Sequence, residues 1–273
     1  MARLSLHWQR QGRRIGVVPT MGALHEGHLS LIRRAASQND VVIVTVFVNP
    51  LQFGPREDFR RYPRNLPRDV RLARGAGSDI VFAPSIQQMY PSGFQTTIEI
   101  GPLSHCWEGR FRLGHFRGVA TVVTVLFELT RPTNAYVGQK DYQQALTLRQ
   151  LVADFRLPIR LHILPTVREP DGLAMSSRNA YLSPAQRRRA TAIYHALRDA
   201  RRRIHAGERR AAVIMNGMRR LIRSQPEARI DYLAVVDART LEPQARIRGR
   251  VVLLAAVRMG RARLIDNLLV DVP

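Results

Sequence analysis

The sequence predicts an α/β protein, with a doubly wound parallel sheet followed by a smaller α+β domain. Apolar β-branched runs alternate with helix-periodic segments through the first 164 residues. A turn-rich break near residue 170 then leads into two basic helical segments. Three strand-like apolar runs close the chain. These observations predict one domain over residues 1–166 and a second over 167–273.

The first domain is predicted from its alternating strand and helix patterns. Residues 41–48 form a continuous apolar run rich in β-branched side chains, typical of a parallel strand buried on both faces. In residues 27–36, Leu29, Ile32 and Ala36 recur at helical spacing. Such alternation predicts right-handed βαβ units. Further strands are predicted at 15–19, 79–83, 135–137 and 159–164, and further helices at 118–130 and 142–153.

The second domain is predicted from a change of pattern after residue 165. Residues 168–172 are turn-rich. Ser183 as an N-cap, Pro184 at the first helical position and Gln186 two positions later mark a helix start. This helix is predicted to run to about Gly207. A second basic helix is predicted to end near Arg223, and strands are predicted at 230–236, 251–256 and 263–265.

Composition excludes several classes of protein. A chain of 273 residues with 45% hydrophobic residues can bury a substantial core and is not expected to be disordered. No apolar run approaches the roughly 20 residues that span a bilayer, so we expect no membrane partner. Cys106 is the single cysteine, which excludes an internal disulfide framework. We therefore expect a reducing, cytoplasmic setting.

The formal net charge of +22 raises the alternative of a nucleic-acid-binding protein. Residues 186–223 hold twelve arginines opposed only by Asp199 and Glu208, so they carry ten of those net charges. This segment is predicted to be helical, with solvated arginine faces. The chain shows no recognised DNA- or RNA-binding motif. We therefore predict no nucleic-acid partner.

Among 43 basic residues only one is lysine, Lys140. Arginine presents a planar fork and lysine a compact point charge, so a site built for one does not accept the other. A chain that uses arginine almost everywhere has kept an ammonium group at this position. The lone lysine favours a functional role there, although chance placement is the alternative.

The segment PTMGALHEGH, residues 19–28, is the strongest candidate site. It joins a predicted strand to a helix, where the amides of a helix N-terminus attract phosphate. Gly22 can supply a tight turn, and Gly27 allows close approach to a nucleotide. His25 and His28 share one side of the first helical turn and suit a triphosphate whose charge changes during reaction. The alternatives are a pair of surface histidines or a zinc site, for which no third ligand lies nearby in sequence.

Two further segments also follow predicted strands. In FVNPLQFG, residues 47–54, Asn49 and Gln52 can hydrogen-bond a small hydroxylated substrate, although a simple Asn-Pro turn is the alternative. In GQKDYQQ, residues 138–144, a lysine can stabilise phosphate charge and Asp141 can accept from a ribose hydroxyl. The segment MSSRN, residues 175–179, offers hydroxyl groups and an arginine and is predicted to act as a mobile lid.

With these segments in this order, the chain resembles the pantothenate synthetase (pantoate–β-alanine ligase) family of the HxGH nucleotidyltransferase superfamily. The resemblance covers essentially the whole chain. This chain departs from the family pattern at Val125, where the family has Lys, and at Val137, where the family has Phe. The matching segments are NPLQFG at 49–54, YPR at 62–64, MYP at 89–91, GHF at 114–116, GQKDYQQ at 138–144, DGLAMSSRN at 171–179 and RLIDN at 263–267.

The resemblance implies a Rossmann-like nucleotide- and pantoate-binding domain followed by a smaller lid domain. It also implies a two-step reaction. ATP adenylates pantoate with release of pyrophosphate, and the amine of β-alanine then displaces AMP to give pantothenate. Mg²⁺ as a cofactor and a homodimeric assembly are implied as well.

The resemblance also implies roles for particular residues. The catalytic set is His25, His28, Lys140 and Arg178. The ATP-binding set is Met21, His28, Gly138, Lys140, Asp141, Val167, Met175, Ser176, Ser177 and Arg178. Pantoate would be bound by Gln52, Gln144 and Met21; the β-alanine path would involve Asn49, Arg112 and His115; and Asp69 would be an outer contact of the metal.

Two rival functions remain at this point besides nucleic-acid binding. A nucleotidylyltransferase of the same superfamily would stop at nucleotidyl transfer and need no amine acceptor. A catalytically inactive homologue would need fewer of the polar motif residues than this chain retains.

Overall fold

The computed structural model describes residues 1–55 and 57–272, which form two compact units. The first comprises Met1–Gln139 and Gln143–Pro165, and the second comprises Lys140–Tyr142 and the chain from Thr166 onward. The predicted organisation into domains 1–166 and 167–273 stays a prediction. Within the described part of the chain, no helix is long and apolar enough to cross a membrane.

The first unit is built on a five-stranded parallel sheet, whose strands are β1 Ile15–Thr20, β2 Val41–Val46, β3 Ile80–Phe82, β4 Asn134–Gly138 and β5 Arg160–Leu164. Their order in the sheet is β3-β2-β1-β4-β5. The strand order reverses beside β1, because the chain builds outward first to one side and then to the other. At such a switch point, open α/β sheets form a ligand crevice outside the carboxyl ends of their strands. The predicted fold class is therefore confirmed.

Helices cover both faces of this sheet. Val18 and Val44 face a core with Ile32, while Val17 and Ile43 face the other core. The structure adds an N-terminal helix that the sequence did not predict. The helix predicted to begin at residue 118 begins three residues earlier, at His115, because the side chains of His115 and Phe116 are also buried. The α-helices are α1 Ala2–Arg10, α2 Glu26–Ala36, α3 Leu66–Gly75, α4 Ile86–Met89, α5 Glu108–Phe111, α6 His115–Thr130 and α7 Tyr142–Asp154, and 3-10 helices span Pro50–Gln52, Phe59–Arg61, Pro102–Ser104 and Gln139–Asp141.

The second unit packs helices on a three-stranded antiparallel sheet in the order β6-β7-β8. The predicted single helix over 183–207 is wrong, because the helix is interrupted at Thr191, whose hydroxyl donates to the Arg188 carbonyl at 2.8 Å. The last strand is longer than predicted, since polar residues within it hide its apolar pattern. The elements are a 3-10 helix Ser177–Tyr181, α8 Pro184–Ala190, α9 Ala192–His205, α10 Ala211–Arg223, β6 Ala228–Asp237, β7 Arg250–Met259 and β8 Ala262–Asp271.

Candidate active site

The turn between β1 and α2 is held by a buried carboxylate. Gly22 has φ +79°, a conformation that glycine adopts without strain, and a Cβ there would lie 2.8 Å from Asp69 Oδ2. The carboxylate of Asp69, only 1% exposed, accepts the backbone N–H of Ala23 at 2.9 Å and of Leu24 at 2.8 Å. Asp69 therefore fixes the backbone just before His25.

Asp69 was also predicted to be an outer contact of the metal, and this stays a prediction. Each of its oxygens accepts one backbone N–H, and a carboxylate oxygen has a second lone pair that can accept from a metal-bound water. Across residues 1–55 and 57–272, no three His, Cys, Asp or Glu side chains come together in a way that could hold a metal ion. A Mg²⁺ ion held by one or two carboxylates together with nucleotide phosphates needs no such cluster.

His25 and His28 lie together at the N-terminus of α2, as their spacing predicts. Their ring centroids are 4.1 Å apart. Nδ1 of His28 accepts the backbone N–H of His25 at 3.3 Å. A ring nitrogen that accepts a hydrogen bond carries no hydrogen, so the proton of a neutral His28 ring is on Nε2. A neutral His28 ring can therefore donate a hydrogen bond through Nε2.

Gln52 is held beside Met21, and both residues were predicted to bind pantoate. The side-chain amide of Asn49 donates to Gln52 Oε1 at 3.1 Å, and Gln52 Nε2 donates to the sulfur of Met21 at 3.2 Å. Asn49 also donates to the Gly118 carbonyl at 3.0 Å and accepts from the Tyr90 hydroxyl at 2.7 Å. Asn49 is 1% exposed, and its contacts orient Gln52 and α6.

Arg112 and His115 form a second support for Gln52. Arg112 donates to Nε2 of His115 at 3.0 Å, and Nδ1 of His115 lies 2.9 Å from the Gln52 carbonyl. A guanidinium can only donate, so Nε2 must accept and Nδ1 must carry the proton that bonds the carbonyl. These two bonds assign the proton of a neutral His115 ring to Nδ1. One of its hydrogen bonds goes to a backbone carbonyl and the other comes from the Arg112 guanidinium.

Glu57 completes this network, and no sequence pattern pointed to it. Arg112 binds both of its carboxylate oxygens at 2.8 Å. Burial would raise the pKa of Glu57, but the hydrogen bonds and charge of Arg112 outweigh it and lower that pKa below the ordinary 4.5. Glu57 stands in a turn-rich, aperiodic segment, and its partner lies 55 residues along the chain, so no local signal could have identified it.

Gln143, also missed, supports the loop that leads to Arg112. Its side-chain amide donates to the carbonyls of Leu103 and Cys106 at 2.8 and 2.9 Å and accepts the backbone N–H of Glu108 at 3.0 Å. The predicted pantoate residue beside it in sequence, Gln144, is partly exposed on α7. These three hydrogen bonds of the buried Gln143 side chain thus fix the start of α7.

In the second unit, a hydrogen bond to its backbone carbonyl holds Lys140, the single lysine of the sequence. The carbonyl of Lys140 accepts from Asn267 Nδ2 at 2.9 Å, and its side chain, 20% exposed, has Nζ 3.3 Å from Asp141 Oδ1. Gly138, predicted to contact ATP, ends β4 two residues earlier.

Other predicted ATP contacts of the second unit are close neighbours. The backbone N–H of Met175 donates to the Val167 carbonyl at 3.0 Å, which closes a hairpin. Ser176 follows and caps the 3-10 helix Ser177–Tyr181 by accepting the backbone N–H of Arg178 at 3.3 Å. Hydroxyls, amides and a guanidinium are therefore concentrated in one segment.

Comparison with known proteins points to the family that the sequence motifs resemble. The family profile described as pantoate-beta-alanine ligase matches residues 1–269. A pantothenate synthetase of Moorella thermoacetica is 55% identical over 264 residues, which cover 97% of this chain and 93% of that protein. One of Roseiflexus castenholzii is 52% identical over 257 residues, covering 94% and 92%.

Solved structures agree with these relatives. The crystal structure of a pantothenate synthetase from Thermus thermophilus has a TM-score of 0.91 at 50% identity, covering 93% of this chain and 92% of that one. The pantoate-beta-alanine ligase of Francisella tularensis, solved as a complex with beta-gamma ATP and beta-alanine, has a TM-score of 0.80 at 36% identity, covering 98% and 95%. This chain belongs to the pantoate–β-alanine ligase family.

Proposed function

We propose that the enzyme joins pantoate to β-alanine in two steps through a pantoyl adenylate. A carboxylate oxygen of pantoate attacks the α-phosphorus of ATP, and the bond to pyrophosphate breaks. The amine of β-alanine then attacks the acyl carbon, the bond to AMP breaks, and the amine loses a proton. The arrangement of His25 and His28 carries this proposal. Their rings are 4.1 Å apart at the N-terminus of α2, next to the switch point of the sheet.

The proposed phosphate contacts share one property, which is that each can donate to an anion. His25, His28, Lys140 and Arg178 stabilise the charge that grows as pyrophosphate leaves, and they form the proposed catalytic set. The hydrogen bond from His25 to Nδ1 of His28 supports this role, because it leaves Nε2 as the nitrogen that carries the proton in the neutral ring. The further proposed ATP contacts are Met21, Gly138, Asp141, Val167, Met175, Ser176 and Ser177.

We propose Gln52, Gln144 and Met21 as pantoate contacts. The bond from Asn49 fixes which end of the Gln52 amide donates, and this supports Gln52 as a donor to a substrate oxygen. The polar groups of Asn49, Arg112 and His115 bond Gln52 or its neighbours. For these three residues we propose a positioning role toward Gln52 in addition to their predicted place on the β-alanine path.

The remaining proposals concern cofactor and assembly. Mg²⁺ usually reaches such sites with the phosphates of its nucleotide and one or two carboxylates, and we propose Asp69 as an outer contact of it. Mg²⁺ would neutralise phosphate charge there. A homodimer and a cytoplasmic location, proposed from family resemblance and the single cysteine, complete this picture.

One assay tests the proposed reaction. Pyrophosphate and AMP are measured after mixing ATP and Mg²⁺ with pantoate, with and without β-alanine. Pantoate alone should give one burst of pyrophosphate per active site, and β-alanine should convert it into steady release of AMP. A nucleotidylyltransferase would give no β-alanine-dependent AMP. Failure of pantoate plus β-alanine, with success of another acid, would overturn the substrate assignment.

A further inference from the structure

Two polar residues stand inside the last strand of the second unit, where apolar side chains are expected. Asp266 and Asn267 of β8 are 5% and 2% exposed. Buried polar groups destabilise a fold unless they are hydrogen-bonded, and an apolar pair would be the simpler choice for a core strand. The contacts of these two residues show what they hold.

On one side, the pair holds the segment with the lone lysine. Asn267 Nδ2 donates to the Lys140 carbonyl at 2.9 Å. A second anchor lies two residues further on, where the Tyr142 hydroxyl donates to the Ala238 carbonyl at 2.7 Å. Lys140–Tyr142 is thus bonded at both ends to the second unit. The positive charge of Lys140 also lies close enough to act on the Asp266 carboxylate.

On the other side, the pair holds the hairpin of residues 166–175. The Arg168 guanidinium binds the two carboxylate oxygens of Asp266 at 2.6 and 2.9 Å and donates to the Asn267 carbonyl at 3.2 Å. The same group donates to the Gly172 carbonyl at 3.1 Å and stacks on Tyr194, 4.1 Å from the ring centroid. Arg168 therefore fixes the hairpin against β8.

We propose that Asp266 and Asn267 are positioning residues that hold Lys140 and the 166–175 hairpin in one fixed arrangement for ATP. This rests on the proposed function, which assigns Lys140, Val167 and Met175 to ATP. Preorganised charge costs no rearrangement during the reaction, and a misplacement of about 1 Å can cost a rate factor of roughly a hundred. The RLIDN segment at 263–267 thereby acts in catalysis without touching a reacting atom.

The single lysine makes this inference directly testable. Protein grown with lysine labelled with ¹³C at the carbonyl gives one lysine carbonyl signal, from the atom that accepts the Asn267 bond. In Asn267→Ala we expect that signal to move upfield, as it does when a carbonyl loses a donor. The matched control is Asn216→Ala, an exposed asparagine of α10 that bonds only Arg219 among the described residues, and there the signal should stay in place.

Kinetics decide whether the contact matters for the reaction. We expect pantoate-dependent ATP–pyrophosphate exchange in Asn267→Ala to lose at least about tenfold in kcat, with KM for pantoate within about twofold. A shifted carbonyl with unchanged kcat would reduce the pair to a purely structural role and overturn the proposal. An unmoved carbonyl signal would overturn the contact itself.

A milder variant guards against loss of folding. Tyr142→Phe removes one hydroxyl and no volume from the core, so it should fold and should lower kcat in the same direction by a smaller factor. If Asn267→Ala does not fold and Tyr142→Phe has wild-type kcat and an unmoved carbonyl signal, the proposal fails. If the wild type shows no pantoate-dependent ATP–pyrophosphate exchange, it is the proposed function that fails. The dissociation constant for ATP then replaces kcat as the quantity compared between wild type and both variants.

Discussion

Arg112 binds the carboxylate of Glu57 with two nitrogens, each 2.8 Å from an oxygen. The same guanidinium donates to Nε2 of His115 and to the Gln52 carbonyl. An arginine with this many partners can hold only one geometry. The position of Gln52 therefore depends on a carboxylate in a loop that no catalytic motif includes.

We expect Glu57→Gln to weaken pantoate binding. The variant keeps the size of the side chain but removes the charge that fixes Arg112, so KM for pantoate should rise on the order of tenfold with a smaller change in kcat. Steady-state kinetics with varied pantoate measure this. Glu99→Gln is the control, because Glu99 is about half exposed and pairs with His105 and Arg117 on the surface. Equal KM values in all three proteins would contradict the prediction.

The same pair should make stability depend on acid pH. The pKa of Glu57 is lowered below 4.5, so its ionised form stabilises the fold at pH values above 4.5 and this contribution is lost as pH falls through the folded pKa. The difference in unfolding free energy between wild type and Glu57→Gln should be largest near neutral pH and shrink below about pH 4.5. Urea unfolding over this range measures it. A constant difference would show that the charge contributes nothing.

Asp69→Asn separates a structural role from a metal role. Its new amide would set a donor against the N–H of Ala23 or Leu24, so we expect a loss of about 1–3 kcal/mol in the free energy of unfolding. Loss of the carboxylate charge at an outer contact of Mg²⁺ should also raise the Mg²⁺ concentration for half-maximal rate. Asp154→Asn, on the exposed end of α7, is the control for stability. An unchanged Mg²⁺ requirement would leave Asp69 with the structural role alone.

Two substitutions of His28 distinguish its two nitrogens. Asparagine can place an acceptor near the position of Nδ1, and glutamine can place a donor near that of Nε2. We therefore expect His28→Asn to keep the bond to the His25 amide and most of the stability, and His28→Gln to keep more of the adenylation rate. Thermal unfolding and pyrophosphate bursts measure the two effects. The reverse order of rates would show that the phosphate does not meet Nε2.

Lys140→Arg should slow adenylation severely although it keeps the charge. The guanidinium is wider and planar, and the backbone at residue 140 cannot shift to accommodate it because Asn267 holds its carbonyl. We expect at least about a tenfold loss in the pyrophosphate burst rate. Arg149→Lys on the exposed face of α7 makes the opposite exchange and should leave the rate unchanged. A normal burst in Lys140→Arg would mean that the lone lysine is accidental.

Much of the fold could be read from the sequence because the signals are local. The β-branched run of β2 and the helical spacing in α2 each lie within one element. The pairing of His25 with His28 follows from a spacing of three residues on one helix. The interrupted helix at Thr191 was not predictable, since its apolar periodicity continues on both sides of the break.

By itself, the sequence determined the parallel α/β class, the presence of strands at the end of the chain and the motifs that carry the family resemblance. Only the tertiary structure decided which distant residues support those motifs. Asp69 reaches the turn before His25 from 45 residues away, Glu57 holds Arg112 across 55, and Asn267 holds Lys140 across 127. A hydrogen bond between such residues depends on how the chain packs, and periodicity within one element carries no record of it.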